Sequence, residues 1–369
     1  MTSRILLLGA TGYTGGLVLN ALLRRGVEPI VAGRNPATLA ALAERSGGLD
    51  YRVLDVTDPA SLRQQMHRGD VLITTVGPFE RFGYPVAQAA ADAGAHYIDS
   101  TGEVGFARTV RDLHHERARA SGAVMLPAFG YDYVPGILAG IQAAHQAGEA
   151  VRALDIGYFA TGPLWRGISE GTRTTMRDGL TLPSIRRHKN QLVEQRTAAR
   201  VERFTVRDRR RSAFLVSGTE VLFLPETFPM LEDVTVYNGW FPAFSRPISL
   251  WSALVNATTR LPAGLALANA LTRPLLVGPP GGPDAALRDR IGSHVVAVAS
   301  TGVPGSSPLA EVHLEGPNPY SLTGELIAWA AGYIANHANG LGSGVIGPVE
   351  AFGLDTLHAA CAEIGLHAR

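Results

Sequence analysis

The chain has 369 residues, of which 46% are hydrophobic and 18% charged, with a formal net charge of +1 and one cysteine, Cys361. That length exceeds one ordinary core and predicts two domains, and the near-neutral balance excludes an electrostatically driven nucleic-acid binder. A lone cysteine excludes an intramolecular disulfide framework and a cysteine-rich metal site, and it fits a reducing cytoplasm.

The first stretch, Ile5-Leu6-Leu7-Leu8-Gly9-Ala10-Thr11-Gly12-Tyr13-Thr14-Gly15, runs four apolar residues straight into a glycine turn, with Leu17, Val18, Ala21 and Leu22 following at helical spacing. It reads as a buried strand, a tight turn and a helix. Glycines in such a turn let backbone N–H groups approach a pyrophosphate in front of a helix dipole. Gly9, Thr11, Gly12, Tyr13, Thr14 and Gly15 are therefore candidate dinucleotide contacts, although the spacing departs from the commonest G-x-G-x-x-G form.

Glu28 to Arg34 is the next strand, and it ends in Gly33-Arg34. An NAD-binding fold would carry an acid about 20 positions beyond the glycine loop to hold the ribose 2′-OH. Here Arg34 stands instead, and a guanidinium can hold a 2′-phosphate and stack on adenine, which points to NADPH; the plainer reading is a surface arginine at a strand end. Asn35-Pro36 opens a helix to Ser46, Tyr51 to Asp55 is a strand, and Asp58-Pro59 opens a helix to about His67. Asp55 and Val56 fall where an adenine edge would lie, though Asp55 reads nearly as well as a loop cap.

Asp70 to Val76 is the fourth strand, and Gly77-Pro78-Phe79 follows it beside the switch point where nicotinamide is held in such sheets. A helix from Gly83 to Ala93, a strand from Ala95 to Ser100, a helix from Phe106 to Ser121 and a strand from Ala123 to Ala128 continue the alternation. The fold class is α/β, a doubly wound Rossmann-type parallel sheet with right-handed crossovers.

Ligands bind beyond the carboxyl ends of such strands, which marks Phe79, Tyr84, Asp99, Thr101, Glu103, Tyr131, Asp132 and Tyr133. Hydride addition to a polarised double bond needs a proton for the neighbouring atom, and Tyr131 or a water held by Asp132 can deliver it. The plainer reading has Asp132 capping the next helix and the tyrosines packing. Glu103 is the competing acid, although it reads more readily as a carboxylate at the start of the following helix. The histidines lack metal-ligand spacing, so no metal is expected. Absence of a Tyr-x-x-x-Lys pair removes the short-chain dehydrogenase mechanism, and the Gly167-Ile168-Ser169-Glu170-Gly171 match lacks the hydrophobic strand that a nucleophile elbow needs.

From Val151 the alternation stops. Val151 to Ala160, Val201 to Phe204, Ala213 to Val216, Val234 to Tyr237 and Val295 to Ala299 read as strands, with helices at Ser169 to Gly179, from Tyr320, and at Val349 to Ile364. This is a second α+β domain with a mainly antiparallel sheet. No stretch reaches the roughly eighteen uninterrupted apolar residues of a membrane span. The nearest, Leu250 to Val277, is broken by Arg260, Pro262 and Arg273 and is compatible with a homodimer contact. Arg186-Arg187-His188-Lys189 and Arg207 with Arg209-Arg210-Arg211 read as solvated hairpin faces, or as docking sites for an acidic carrier protein or coenzyme A phosphates.

Taken together, the glycine turn, Ala32-Gly33-Arg34, Gly77-Pro78-Phe79, Tyr97-Ile98-Asp99-Ser100-Thr101-Gly102-Glu103 and Gly130-Tyr131-Asp132-Tyr133-Val134-Pro135 resemble the saccharopine dehydrogenase-like family. Glu170-Gly171-Thr172, Gly278 to Asp284, Pro319 to Thr323 and Gly347 to Gly353 extend the resemblance over nearly the whole chain. The stretch around Pro279 is most similar to the branch of trans-acting enoyl reductases of polyketide and lipid assembly. The resemblance implies NADPH-dependent reduction of a conjugated C=C of a small-molecule or carrier-bound acyl substrate, with an acyl carrier protein as partner. It also implies a last helix, about Pro348 to Gly365, that returns to the nucleotide domain, giving residues 1–135 with 346–369 and a substrate or dimerisation domain of 136–345. Relatives usually carry Ser where this chain has Tyr133. Two alternatives stay open: reduction of a C=N bond, for which arginines such as Arg166 and Arg173 would meet substrate carboxylates, and a non-catalytic NADP-binding partner protein.

Overall fold

The computed structural model describes residues 3–164, 167–258 and 281–369. By its internal contacts the chain divides into Met1–Val134 with Tyr320–Gly365, and Pro135–Pro319 with Leu366–Arg369.

The first unit is built on β1 (Ile5–Leu8), β2 (Ile30–Gly33), β3 (Tyr51–Val53), β4 (Val71–Thr74), β5 (His96–Asp99) and β6 (Val124–Leu126). A late two-residue strand, β15 (Gly344–Val345), completes a parallel sheet in the order β15-β6-β5-β4-β1-β2-β3. Helices cover both faces of such a sheet, which is why Leu7, Val31, Ile73, Ile98 and Val124 are all fully buried and the strands read as unbroken apolar runs. The chain runs outward from β1 in one direction and from β4 in the other, so the neighbouring pair β1 and β4 is the switch point. Register places Leu8 beside Ala32 and Thr74, and Thr74 beside Asp99, so the loops after these four residues open along one crest.

Local chemistry sets the helix ends. Asn35 accepts from the Thr38 amide with Pro36 as the first helical residue, and Asp58 accepts from the amides of Ala60 and Ser61. The helix Phe79–Ala93 begins four residues before the apolar pattern suggests, because a carboxylate from another loop caps its first turn. The terminal helix is split into Pro348–Phe352 and Leu354–Glu363 by Gly353, which has φ +77°.

Whereas the resemblance returns the chain to the nucleotide domain at about 346, the first unit takes it up again at Tyr320. The helix Pro319–His337 is tied there by Glu325, which pairs with Arg24 and Arg25, and by the backbone of Gly324, where a Cβ would stand 3.1 Å from Leu17.

The second unit holds β7 (Ala153–Thr161), β8 (Pro183–His188), β9 (Gln191–Arg196), β10 (Val201–Val206), β11 (Arg209–Val216), β12 (Asp233–Asn238), β13 (Gly292–Ser300), β14 (Ala310–Gly316) and β16 (His367–Ala368). The main path is β10-β11-β12-β7-β13-β14-β16, with β8 and β9 branching from β12. Only β12 and β7 run parallel among these described pairs. Strands β8, β9 and β14 escape the sequence reading because charged residues such as Arg186, Glu194 and Glu315 break their alternation.

The β10–β11 hairpin folds over one face of this sheet. Phe204 stacks edge-on against Phe159 and Tyr237, with centroids 5.7 and 5.5 Å apart, and the hairpin turn is fastened by Arg207, which holds both oxygens of Glu315 at 2.9 and 2.8 Å. Glu315 also accepts from Arg369 and meets Nδ1 of the buried His294. The Arg207 hydrogen bonds hold its carboxyl down at about 2.

That depressed value makes a directional prediction. Glu315 stabilises the fold fully above its ordinary carboxylate range, and the contribution disappears as pH falls from about 4.5 to about 2. E315Q is expected to cost roughly 2 to 3 kcal/mol at neutral pH and to flatten this acid limb, read by urea unfolding across pH.

Candidate active site

The glycine turn closes on itself. The Gly9 amide donates to the Ala32 carbonyl at 2.9 Å and the Gly12 amide to the Gly9 carbonyl at 2.9 Å, while Gly9 sits at φ +88°. A Cβ on Gly15 would stand 2.1 Å from the Gly9 carbonyl oxygen, so only glycine lets the helix Tyr13–Arg24 start this close to the strand. No side chain caps that helix, whose Ncap residue is Gly12, and its first-turn N–H groups face the end of β1. Thr11 and Gly12 are exposed, and Tyr13 packs edge-on against Tyr320 at 5.4 Å. This is a cradle for an anion.

Arg34 is exposed at the end of β2, and its charge is felt by Asp55 just beyond β3. Thr11 lies by Gly33, its hydroxyl 3.9 Å from where a Cβ would be. Asp55 accepts from the Thr57 amide at 2.8 Å and the Thr57 hydroxyl at 2.7 Å, which lower its pKa, so its carboxylate organises its own loop. The Val56 side chain is in the core rather than on the crest.

Beyond β4 and β5 the candidates form one network. Asp99 is fully buried, and its Oδ1 accepts from the amides of Thr101 and Ala128, both at 2.8 Å. Burial pushes its carboxyl up to about 6 despite those donors. The Thr101 hydroxyl accepts from the Glu103 amide at 3.0 Å. Glu103 in turn spans to the next loop, Oε1 accepting from the Phe79 amide at 3.0 Å and Oε2 from the Glu80 amide at 2.9 Å. Glu103 is thus the cap of the helix Phe79–Ala93, and not of the helix it precedes. The Phe79 ring is buried against Phe106, with centroids 5.6 Å apart, leaving Gly77 and Pro78 as the crest residues of that loop.

The loop after β6 is bent by Ala128, a non-glycine residue at φ +59°. Its carbonyl accepts from the amides of Gly130 and Tyr133, and the Tyr133 hydroxyl donates to the Gly102 carbonyl at 3.1 Å, lashing this loop to the one after β5. The Tyr131 amide donates to Thr323 Oγ1 at 3.0 Å, and the Tyr131 side chain is buried. Asp132 differs from every other acid here. Part of its surface stays open, nothing among the described residues donates to its carboxyl, and burial alone pushes it up to about 7. It does not cap the following helix, whose Gly136 amide is taken by the Tyr158 hydroxyl at 2.9 Å.

In the second unit Arg173 is buried and donates to the Ile168 carbonyl at 2.7 Å, and Ser169 caps its own helix through Thr172; Arg166 and residues 259–280 lie outside the described residues. Among the described residues no cluster of three metal-ligating side chains occurs, and no helix is long and apolar enough to cross a membrane.

Sequence reasoning named Thr101, Glu103 and Asp132 but missed the hub role of Asp99, the left-handed Ala128 and Thr323. An acid ending an apolar strand was the available signal for the first; Thr323 fell in a stretch that carries the resemblance but was given no role, and nothing marked the backbone of Ala128.

Residues 5–125 match the family model of the saccharopine dehydrogenase NADP binding domain. Over 140 residues the chain is 40% identical to a trans-acting enoyl reductase of Mycobacterium ulcerans (strain Agy99) and 39% identical to one of Mycobacterium leprae (strain TN). Each match covers 36% of this chain and 34% of the relative, so the aligned part spans about a third of those proteins' length. Apo saccharopine dehydrogenase (L-Glu forming) from Saccharomyces cerevisiae has the same fold, with a TM-score of 0.61 at 14% identity, over 100% of this chain and 99% of that one.

The hub predicts an asymmetry between two substitutions. Asp99→Ala strands the Thr101 and Ala128 amides without an acceptor and is expected to cost roughly 2 to 4 kcal/mol in denaturant unfolding. Asp99→Asn keeps an acceptor oxygen and is expected to cost less than half as much.

Proposed function

We propose, for a chain whose first domain belongs to the saccharopine dehydrogenase NADP-binding family, that it is an NADPH-dependent reductase of an activated C=C bond in a small-molecule or carrier-bound acyl intermediate. The observation that carries the reading is the presence, beyond the strand ends of one sheet, of a glycine cradle, a strand-end arginine and a carboxyl that no group among the described residues hydrogen-bonds. The enoyl reductase names of the relatives support the choice of a C=C substrate.

The cradle fits the cofactor. Gly9, Gly12 and Gly15 leave room at an uncapped helix start for a pyrophosphate, and Arg34 stands where a 2′-phosphate needs a cation. NADPH, when bound, supplies the hydride. Thr11, Tyr13 and Thr14 would line the phosphates, while Gly77 and Pro78 would border the nicotinamide.

The protein's own task is the proton. Asp132, with a carboxyl pushed up to about 7, is close to half protonated at neutral pH, the condition in which a general acid is most effective. Glu103 holds the flanking loops with both of its oxygens, and Asp99, fully buried, holds them through Oδ1. Tyr131 anchors the loop through its amide to Thr323. On this reading Asp132 is the catalytic residue, and Glu103, Asp99 and Tyr131 position it.

Two experiments test the reading. In fluorescence titrations Arg34→Ala is expected to weaken NADPH about 10- to 100-fold and to leave NADH unchanged, since only NADPH carries the phosphate it would hold. With enoyl thioesters as acceptors, Asp132→Asn is expected to lower kcat about 100-fold or more at little change in KM. The wild-type rate should fall as pH rises through about 7, because the protonated acid is the active form. Tight NADPH binding with no oxidation by any enoyl or imine acceptor would mark a non-catalytic binding protein instead.

A further inference from the structure

Strand β8 carries two adjacent arginines with opposite circumstances. Arg187 is part-exposed and satisfied, its Nε donating to the Leu231 carbonyl at 3.1 Å and its Nη2 to Asn190 at 3.2 Å. Arg186, on the other face, retains only 6% of its surface, and its Nε is buried without a hydrogen-bond partner. Among the described residues no acceptor meets that Nε, and the acids that act on the guanidinium, Asp233 and Asp155, do so through their charge alone.

Its neighbours cannot correct this. Asp233, the acid on the adjacent strand, is taken by His188 Nδ1 at 2.5 Å and the Lys189 amide at 3.1 Å. Asp155 lies against the Tyr237 hydroxyl. Arg200 adds a second positive charge nearby rather than a negative one. A buried guanidinium whose Nε lacks a partner is costly, and chains keep such a group only where something else satisfies it.

We propose that Arg186 is an anion subsite of the second domain, taking an oxyanion with two acceptor oxygens such as a carboxylate or a phosphate. Five N–H donors in a rigid fork suit that geometry, and Nε already lies in a desolvated place where a charge-assisted hydrogen bond is strong. All the residues concerned lie in Pro135–Pro319, so the inference does not depend on the reductase reading of the first domain.

The test is thermal unfolding of the full chain at fixed ionic strength, in chloride and then with inorganic phosphate or acetate replacing it. Wild type is expected to gain about 2 to 4 °C at roughly ten times the Kd of the preferred anion. The larger increment identifies the source, phosphate for a phosphoryl ligand and acetate for a carboxylate. Arg186→Met is expected to lose the increment while melting no lower than wild type in chloride, because a methionine removes a buried charge without breaking a pair. Arg187→Met and Arg34→Met should keep the increment, and Arg186→Lys should retain part of it. An increment absent from wild type, preserved in Arg186→Met, or lost in Arg34→Met instead would overturn the assignment.

Discussion

The arrangement depends on one buried carboxylate. Asp99 ends β5 in a fully desolvated position, where ionisation is disfavoured, and two backbone amides from different loops offset that cost. One of them belongs to Ala128, whose left-handed backbone is itself unfavourable by about 1 to 2 kcal/mol for a residue with a Cβ. The strained residue is thus held from both sides, its amide by Asp99 and its carbonyl by the amides of Gly130 and Tyr133. A relaxed Ala128 would continue β6 outward and carry the Tyr131-Asp132-Tyr133 loop away from the crest. Strain at this point is what turns the loop back over the strand ends.

The acids of the first domain then divide by environment rather than by type. Glu103 meets two helix-start amides and works as a cap; Asp55 meets Thr57 and works as a turn. Asp99 is a junction. Asp132 has the burial without the donors, so its charged form is poorly solvated and its proton is held more tightly. Asp55 is held below the usual carboxylate range, whereas burial raises Asp99 to about 6 and Asp132 to about 7, and of these only Asp132 has no amide donor among the described residues. Tyr133 contributes by tying the loop after β6 to the Gly102 carbonyl of the loop after β5.

Most of the first domain is legible in the chain because parallel strands buried on both faces must be continuous apolar runs, and Ile5–Leu8, Val71–Thr74 and His96–Asp99 announce themselves that way. Caps at Asn35 and Asp58 are local and equally readable. What the sequence hides is non-local. Nothing within a few residues of Glu103 says that it caps a helix begun more than twenty residues earlier, or that Thr323, far along the chain, accepts from the Tyr131 amide. The second domain is less legible because its strands tolerate charge: Arg186 and His188 occupy one face of β8 while Arg187 occupies the other, and no apolar alternation marks the strand. The basic runs noted in the sequence also dissolve into different uses, Arg207 holding Glu315 and Arg187 holding a carbonyl, so composition alone misjudges them.

A comparison of those uses separates charges that serve the fold from charges that serve something else. Arg207 and Glu315 satisfy one another bidentately, and His294 and Arg369 add to the same carboxylate, which is how a folded chain settles charge near its interior. Among the described residues, Asp132 in the first domain and Nε of Arg186 in the second are left outside any such arrangement. Folding alone gives no reason for this, since an asparagine or a methionine would sit in either place at lower cost. The two sites have opposite charge and lie in different domains, and each is set among neighbours that are already satisfied. On the proposed readings, a group kept short of partners in such surroundings serves a proton in one case and an anion in the other.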